Sequence, residues 1–143
     1  MYKRILLPTD GSEYSLREVE RAKHLLADGG EIIILGVAIK IRKTAFHRTK
    51  DVKKANKEAV KEAEDNVKAM AECFDDSFNV TTMVKTGFPS EQINKVAEDE
   101  DCDLIIIASS GRSGLHKFVL GSVVENVLKE CEKDVLLIHS IIH

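Results

Sequence analysis

The sequence has little of what a disulfide-bonded or zinc-binding protein needs. It contains no tryptophan, two prolines and three cysteines among 143 residues. Cys73, Cys102 and Cys131 are odd in number, far apart and in no C-x-x-C pair. This spacing predicts neither a disulfide framework nor a zinc site. It favours free thiols in a reducing compartment, and we therefore expect a cytoplasmic protein.

Long apolar runs and a strong excess of one charge are also missing. The apolar runs fall far short of the ~20 residues that span a bilayer. Lys3 and Arg4 lead directly into an apolar segment, which is not the pattern of a secretory leader. The formal net charge is only −3. We therefore expect no membrane partner and no nucleic acid bound through general charge.

Sequence motifs of the common catalytic sites are absent. There is no G-x-x-x-x-G-K-[ST] loop, no G-x-S-x-G and no H-E-x-x-H, and the five histidines are scattered. The pattern predicts no catalytic residue and no protein-held metal. The composition, 43% hydrophobic and 31% charged, is that of a globular chain, and its length predicts one domain over residues 1–143.

Short apolar segments alternate with segments of helical periodicity along the chain. Apolar runs without alternation are typical of strands covered on both faces of a parallel sheet. The pattern therefore predicts an α/β fold, a five-stranded parallel sheet with helices on both faces. The predicted strands are residues 3–8, 31–39, 78–85, 104–107 and 134–142. The predicted helices follow the first four strands; the first ends at Asp28-Gly29-Gly30, and the others end near residues 74, 97 and 130.

The most informative stretch begins at the fourth predicted strand. Its apolar residues give way to small polar ones that include Gly111 and Gly114, and the pair Gly121–Ser122 then precedes a run of helical spacing. A strand, a glycine-rich loop and a helix start place unpaired N–H groups where phosphate oxygens bind well. The same composition also fits an ordinary tight connection, and the loop alone does not separate the two interpretations.

A carboxylate follows the first predicted strand. Asp10 is well placed to accept a hydrogen bond from a ribose hydroxyl at the carboxyl end of that strand. It is equally suited to capping the helix that follows. Both roles remain open on the residues alone.

Three motifs of this chain resemble those of the universal stress protein family. The spacing Ala108-x2-Gly111-x9-Gly121-Ser122 is similar to the family's nucleotide-binding signature G-x2-G-x9-G-[S/T]. The segments Pro8-Thr9-Asp10-Gly11-Ser12 and Gly87-x-Pro89 resemble two further family motifs. The family's first glycine is Ala108 here, and alanine adds a methyl group and disfavours a positive φ.

The resemblance implies a Rossmann-like, adenine nucleotide alpha hydrolase-like sheet with strand order 3-2-1-4-5. It further implies a homodimer formed through residues 134–142, and ATP as the ligand, with Mg²⁺ or Mn²⁺ held through the phosphates. Adenosine would be bordered by Pro8, Thr9, Asp10 and Val37, and the phosphates held at Ala108, Gly111, Gly114, Gly121, Ser122 and Val123.

Three other functions remain open at this point. A relative that no longer binds nucleotide would act as a protein-interaction module. A slow ATPase would need a residue that activates water, and the sequence offers none that we can name. A flavodoxin-like redox protein shares the topology but has no support in the residues.

Overall fold

A computed structural model describes residues 1–12, 15–39, 49–108 and 117–138 of the chain. Strands and helices alternate along it, and the described strands form one parallel sheet in the order β3-β2-β1-β4-β5. The predicted fold class and strand order are therefore confirmed. In chain order the elements are β1 (Tyr2–Thr9), α1 (Ser15–Leu25), β2 (Leu26–Ala38), α2 (Thr49–Ala71), β3 (Asn79–Thr86), α3 (Pro89–Asp99), β4 (Leu104–Ala108), α4 (Lys117–Glu130) and β5 (Asp134–Ile138).

The sheet is buried on both faces, as its uninterrupted apolar strands predict. Successive residues of β2 alternate between the two faces, because side chains along a strand point in opposite directions. Ile32 and Ile34 pack with α1 and α2 in one core, whereas Ile33 and Leu35 pack with α3 and α4 in the other. All four of these side chains are fully buried. No helix among the described residues is long and apolar enough to cross a membrane.

Two predicted strand boundaries are wrong. Pro8 does not end β1 but lies inside it, paired with Leu35 of β2. The second strand begins at Leu26, five residues before its predicted start, although residues 28–30 have the composition of a turn. The register of β1 against β2 shifts between Tyr2 and Arg4, and Gly29 has a φ of 77°. The turn-forming residues are therefore absorbed as an irregularity within β2 rather than ending the strand.

A close approach of α2 explains the glycine inside β2. A Cβ atom added at Gly36 would lie 3.0 Å from the carbonyl oxygen of Ala63 and 3.0 Å from Cγ1 of Val67. Only a residue without a side chain lets the helix pack at this distance.

The amino ends of the central strands are joined by polar contacts around Asp103. Its carboxylate accepts hydrogen bonds from the backbone N–H groups of Lys3 and Arg4, both at 2.9 Å. The Nη1 atom of Arg4 donates to the carbonyl oxygen of Glu100 at 2.7 Å. Cys102 lies in the middle of these residues and is fully buried. This edge of the sheet is therefore fixed by contacts that are independent of the opposite, carboxyl edge.

The buried thiol of Cys102 gives the protein a testable pH dependence. Burial raises the pKa of Cys102 from 9.0 to about 11, while the nearby Arg4 guanidinium opposes that shift. The pKa of Cys102 is higher in the folded than in the unfolded state, so keeping this thiol protonated contributes to the free energy of unfolding. That contribution is complete below pH 9 and is lost as the pH rises to about 11. We expect Cys102→Ala to lose stability less steeply than wild type across this range, measured by urea unfolding. Parallel curves for the two proteins would contradict this expectation.

Candidate functional site

The described carboxyl-terminal parts of β1 and β4, at the centre of the sheet, are not paired with each other. Backbone pairing joins Ile5 to Leu104 and Leu6 to Ile105. In the described part of the chain the pairing stops there, although each strand continues for three more residues. The strand order reverses at this position, and parallel α/β sheets bind their ligands in the crevice beyond such a point.

Asp10 and Val37 each follow a paired strand residue at this edge. Thr9, the last residue of β1, pairs with Gly36 of β2, so the following residues of the two strands are neighbours. Both side chains are only partly buried. Because Val37 also packs against the core on the α3 and α4 side, it offers an apolar surface beside a carboxylate. This pair has the chemistry of a site for a flat apolar ring that carries a hydroxylated sugar.

The turn after β1 is held by its own side chains. The Asp10 carboxylate accepts a hydrogen bond from the N–H of Ser12 at 2.9 Å, and the Thr9 hydroxyl accepts one from the N–H of Gly11 at 3.2 Å. Gly11 and Ser12, which are not helical, separate Asp10 from α1, so Asp10 does not occupy the position that caps this helix. The Asp10 side chain instead organises the turn in which it lies.

Two further predicted residues, Pro8 and Ala108, lie in the carboxyl-terminal parts of β1 and β4. Pro8 is buried near the end of β1, and Ala108 is the last residue of β4, 6% exposed and paired with Ile138. Among the described residues other than glycine, Asp101 alone has a positive φ. The alanine at the family's first glycine position therefore adopts an ordinary strand conformation without backbone strain.

The structure revises the predicted helix start near the phosphate motif. The described helix α4 already includes Lys117, about one turn before Gly121 and Ser122. In such a helix the unpaired N–H groups belong to the first turn, whereas those of Gly121, Ser122 and Val123 are bonded within the helix. The Ser122 side chain is exposed, and Val123 packs against the core on this face. The contact of these three residues with phosphate stays a prediction, for which the exposed Ser122 hydroxyl offers a donor.

Gly111 and Gly114 lie outside the described residues, and their predicted contacts with phosphate stay predictions. The residues that the structure does describe contain no group of three or more His, Cys, Asp or Glu side chains arranged to hold a metal ion. Asp10, Val37 and Ala108 come together from three separate strands at one edge, as the topology requires.

An apolar cleft of about 420 Å³ lies beside the crevice rather than in it. It is formed at the ends of β2 and β3 and at the start of α2, and none of the predicted site residues lines it. Its walls are Ala38, Ile39, Asn56, Lys57, Val60 and Thr86.

One contact at this edge has no signal in the sequence. The side chain of Asn66, from the middle of α2, lies against the backbone of Gly11, which has a φ of 80°. A Cβ atom added at Gly11 would lie 2.7 Å from Cγ and 2.8 Å from Nδ2 of Asn66. Helical periodicity places Asn66 beside the apolar stripe of α2, but it does not reveal which turn that stripe covers.

Comparisons with known proteins extend over the whole fold. The chain matches the Universal stress protein family over residues 1–139. Universal stress protein MJ0577 of Methanocaldococcus jannaschii is 37% identical, with 96% of this chain and 95% of that protein covered. The solved structure of MJ0577 has a TM-score of 0.77 at 34% identity, covering 100% and 99% of the two chains. A universal stress protein in complex with cAMP has a TM-score of 0.59 at 26% identity, covering 96% and 97%.

Proposed function

Because the chain belongs to the universal stress protein family, we propose that it binds ATP in the crevice between β1 and β4 and acts as a regulatory or stress-response module. The observation that carries this proposal is the position of Asp10 beside Val37 at the point where the strand order reverses. The similar protein in complex with cAMP supports an adenine nucleotide as the ligand class. This chain carries a residue type suited to each part of a nucleotide: an apolar surface for the base, a carboxylate for the sugar and a hydroxyl for the phosphates.

The roles of the residues follow from their chemistry. Val37 would contact the adenine ring through its exposed part, and Asp10 would accept hydrogen bonds from ribose hydroxyls. Pro8 and Thr9 would form the floor beneath the nucleoside. The phosphates would lie toward Ala108, the first turn of α4 and the Ser122 hydroxyl, where the positive end of the helix dipole favours an anion. Gly111, Gly114, Gly121 and Val123 complete the proposed site.

A divalent cation fits this site only as part of the nucleotide. Asp10 is the one predicted site residue with a carboxylate, and its Oδ1 atom already accepts a hydrogen bond from Ser12. We therefore assign Mg²⁺ or Mn²⁺ to the phosphate oxygens and water, which is how Mg²⁺ is commonly bound with nucleotides.

The assembly we propose is a homodimer of one-domain subunits in the cytoplasm. Strand β5 is the last strand in the sheet order, and the structure describes no neighbour on its outer edge. Its middle residues Val135, Leu136 and Leu137 are apolar and only half-buried. Pairing with a second copy, through residues 134–142, would cover this edge and satisfy its backbone groups.

Calorimetric titration of the purified protein with ATP tests the proposed function. We expect saturable binding of ATP with Mg²⁺, and no change of the ATP into ADP during the titration. No heat and no thermal shift at millimolar ATP would favour an interaction module that binds no nucleotide. Release of ADP in proportion to protein, abolished by Gly121→Trp, would favour a slow ATPase instead.

A further inference from the structure

One turn of α2 reaches the carboxyl edge of the sheet at two glycines. Ala63 and Val67 touch the space above Gly36, and Asn66, between them on the same turn, touches the space above Gly11. Gly36 pairs with Thr9, and Gly11 follows two residues after Thr9, so both glycines lie near the carboxyl edge of the sheet, beside the proposed nucleotide site. The helix thus approaches the ends of β1 and β2 closely enough that neither position has room for a side chain.

The contact with Gly11 concerns the turn that carries Asp10. Gly11 follows Asp10 directly, and its positive φ of 80° is a conformation that only glycine adopts without strain. The carboxamide of Asn66 lies where a Cβ atom of residue 11 would point. The turn therefore has hydrogen bonds within itself and, from outside, a contact with a side chain of α2.

We propose that Asn66 is a positioning residue, which holds the Thr9–Ser12 turn in the conformation that presents Asp10 to the nucleotide. The packing of Ala63 and Val67 on Gly36 fixes the distance between this helix turn and the sheet. The same turn thereby fixes the Asn66 side chain against Gly11. The expected effect on ATP binding rests on the proposed function, whereas the contact between Asn66 and Gly11 does not depend on it.

The difference in helix propensity between asparagine and alanine distinguishes a role of Asn66 in positioning the turn from a role in stabilising α2 alone. Asparagine is a weaker helix former than alanine, because its side chain competes for backbone hydrogen bonds. If Asn66 served only the helix, Asn66→Ala would leave ATP binding unchanged. If it positions the turn, the same substitution weakens ATP binding while α2 keeps its helicity.

The experiment compares wild type with Asn66→Ala and with Lys68→Ala, a control at an exposed position of the same helix. We expect Asn66→Ala to raise the Kd for ATP by about fivefold to tenfold, the size of one lost side-chain contact. Amide hydrogen exchange at Gly11 and Ser12 should accelerate in the same variant. The control should match wild type in both measurements, and an unchanged Kd for Asn66→Ala would overturn the positioning role.

A double variant tests the contact between the two residues directly. Gly11→Ala introduces a methyl group into the space of the Asn66 carboxamide and also strains the backbone. Removing that carboxamide in Gly11→Ala/Asn66→Ala relieves the collision, so the double variant should bind ATP better than the sum of the single effects predicts. Additive effects on the Kd would show that the two residues do not act through each other.

Failure of this inference and failure of the proposed function are distinguishable. If wild type binds no ATP, the proposed function falls, and the exchange rates still decide whether Asn66 holds the turn. Faster exchange at Gly11 and Ser12 in Asn66→Ala supports the contact, and unchanged exchange overturns it in either case.

Discussion

Replacing Asp10 with alanine is expected to weaken ATP binding by about ten- to a hundredfold. A hydrogen bond to a charged group contributes roughly 1.5–3 kcal/mol, and 1.4 kcal/mol corresponds to a factor of ten in Kd. In the proposed site Asp10 is the residue that supplies a negative charge, and it follows β1 at the edge where Val37 of β2 packs against the core. The measurement is calorimetric titration with ATP under identical salt and Mg²⁺ conditions.

Two companion variants make the Asp10 experiment specific. Asp10→Asn keeps a side-chain oxygen that can accept the bond from Ser12, so it should preserve the turn and lose only the charge. We expect its Kd to fall between those of wild type and Asp10→Ala. Asp99→Ala removes an exposed carboxylate from the last residue of α3 and should bind ATP like wild type. Wild-type affinity in Asp10→Ala would exclude a sugar contact by this residue.

Replacing Gly36 with valine should have the largest effect on stability of any change at the site. The first added carbon alone would lie 3.0 Å from a backbone oxygen of α2, which cannot move without displacing the helix. Overpacking of this kind costs about 1–3 kcal/mol of unfolding free energy, and sometimes more. Urea unfolding followed by circular dichroism measures the loss.

The loss should extend to nucleotide binding, because the displaced turn of α2 also carries Asn66. Gly36→Ala adds a single carbon and should be the milder of the two variants in both measurements. The matched control is Thr82→Val, which places the same valine on an exposed position of β3 and should change stability by less than about 0.5 kcal/mol. A Gly36→Val protein as stable as wild type would mean that α2 does not pack against β2 as described.

The strands were predictable because their local apolar pattern already indicates that they are buried. Unbroken apolar runs such as residues 32–35 and 104–107 have no polar face, and only a sheet covered on both sides accommodates them. The same local pattern could not fix the start of β2. Residues 28–30 have the composition of a turn, and their place in the sheet depends on pairing with β1, a contact between distant segments.

The topology made the placement of three candidate residues predictable. Asp10 follows β1, Val37 is the penultimate residue of β2 and Ala108 ends β4, so the parallel topology alone puts them at one edge. The start of α4 was misplaced because Gly121 has the composition of a loop, although the helix continues through it from Lys117. Asn66 was not foreseen at all, since its contact with Gly11 depends on how closely α2 approaches the sheet.

The most direct test of the central claim is mapping of ATP binding by NMR chemical shifts on the isotopically labelled protein. The account predicts that the largest backbone shifts on addition of ATP occur at Thr9, Asp10, Val37, Ala108 and Ser122, and that Asp10→Ala suppresses them. Shifts concentrated instead around the cleft at Asn56 and Val60, or no shifts at saturating ATP, would contradict it.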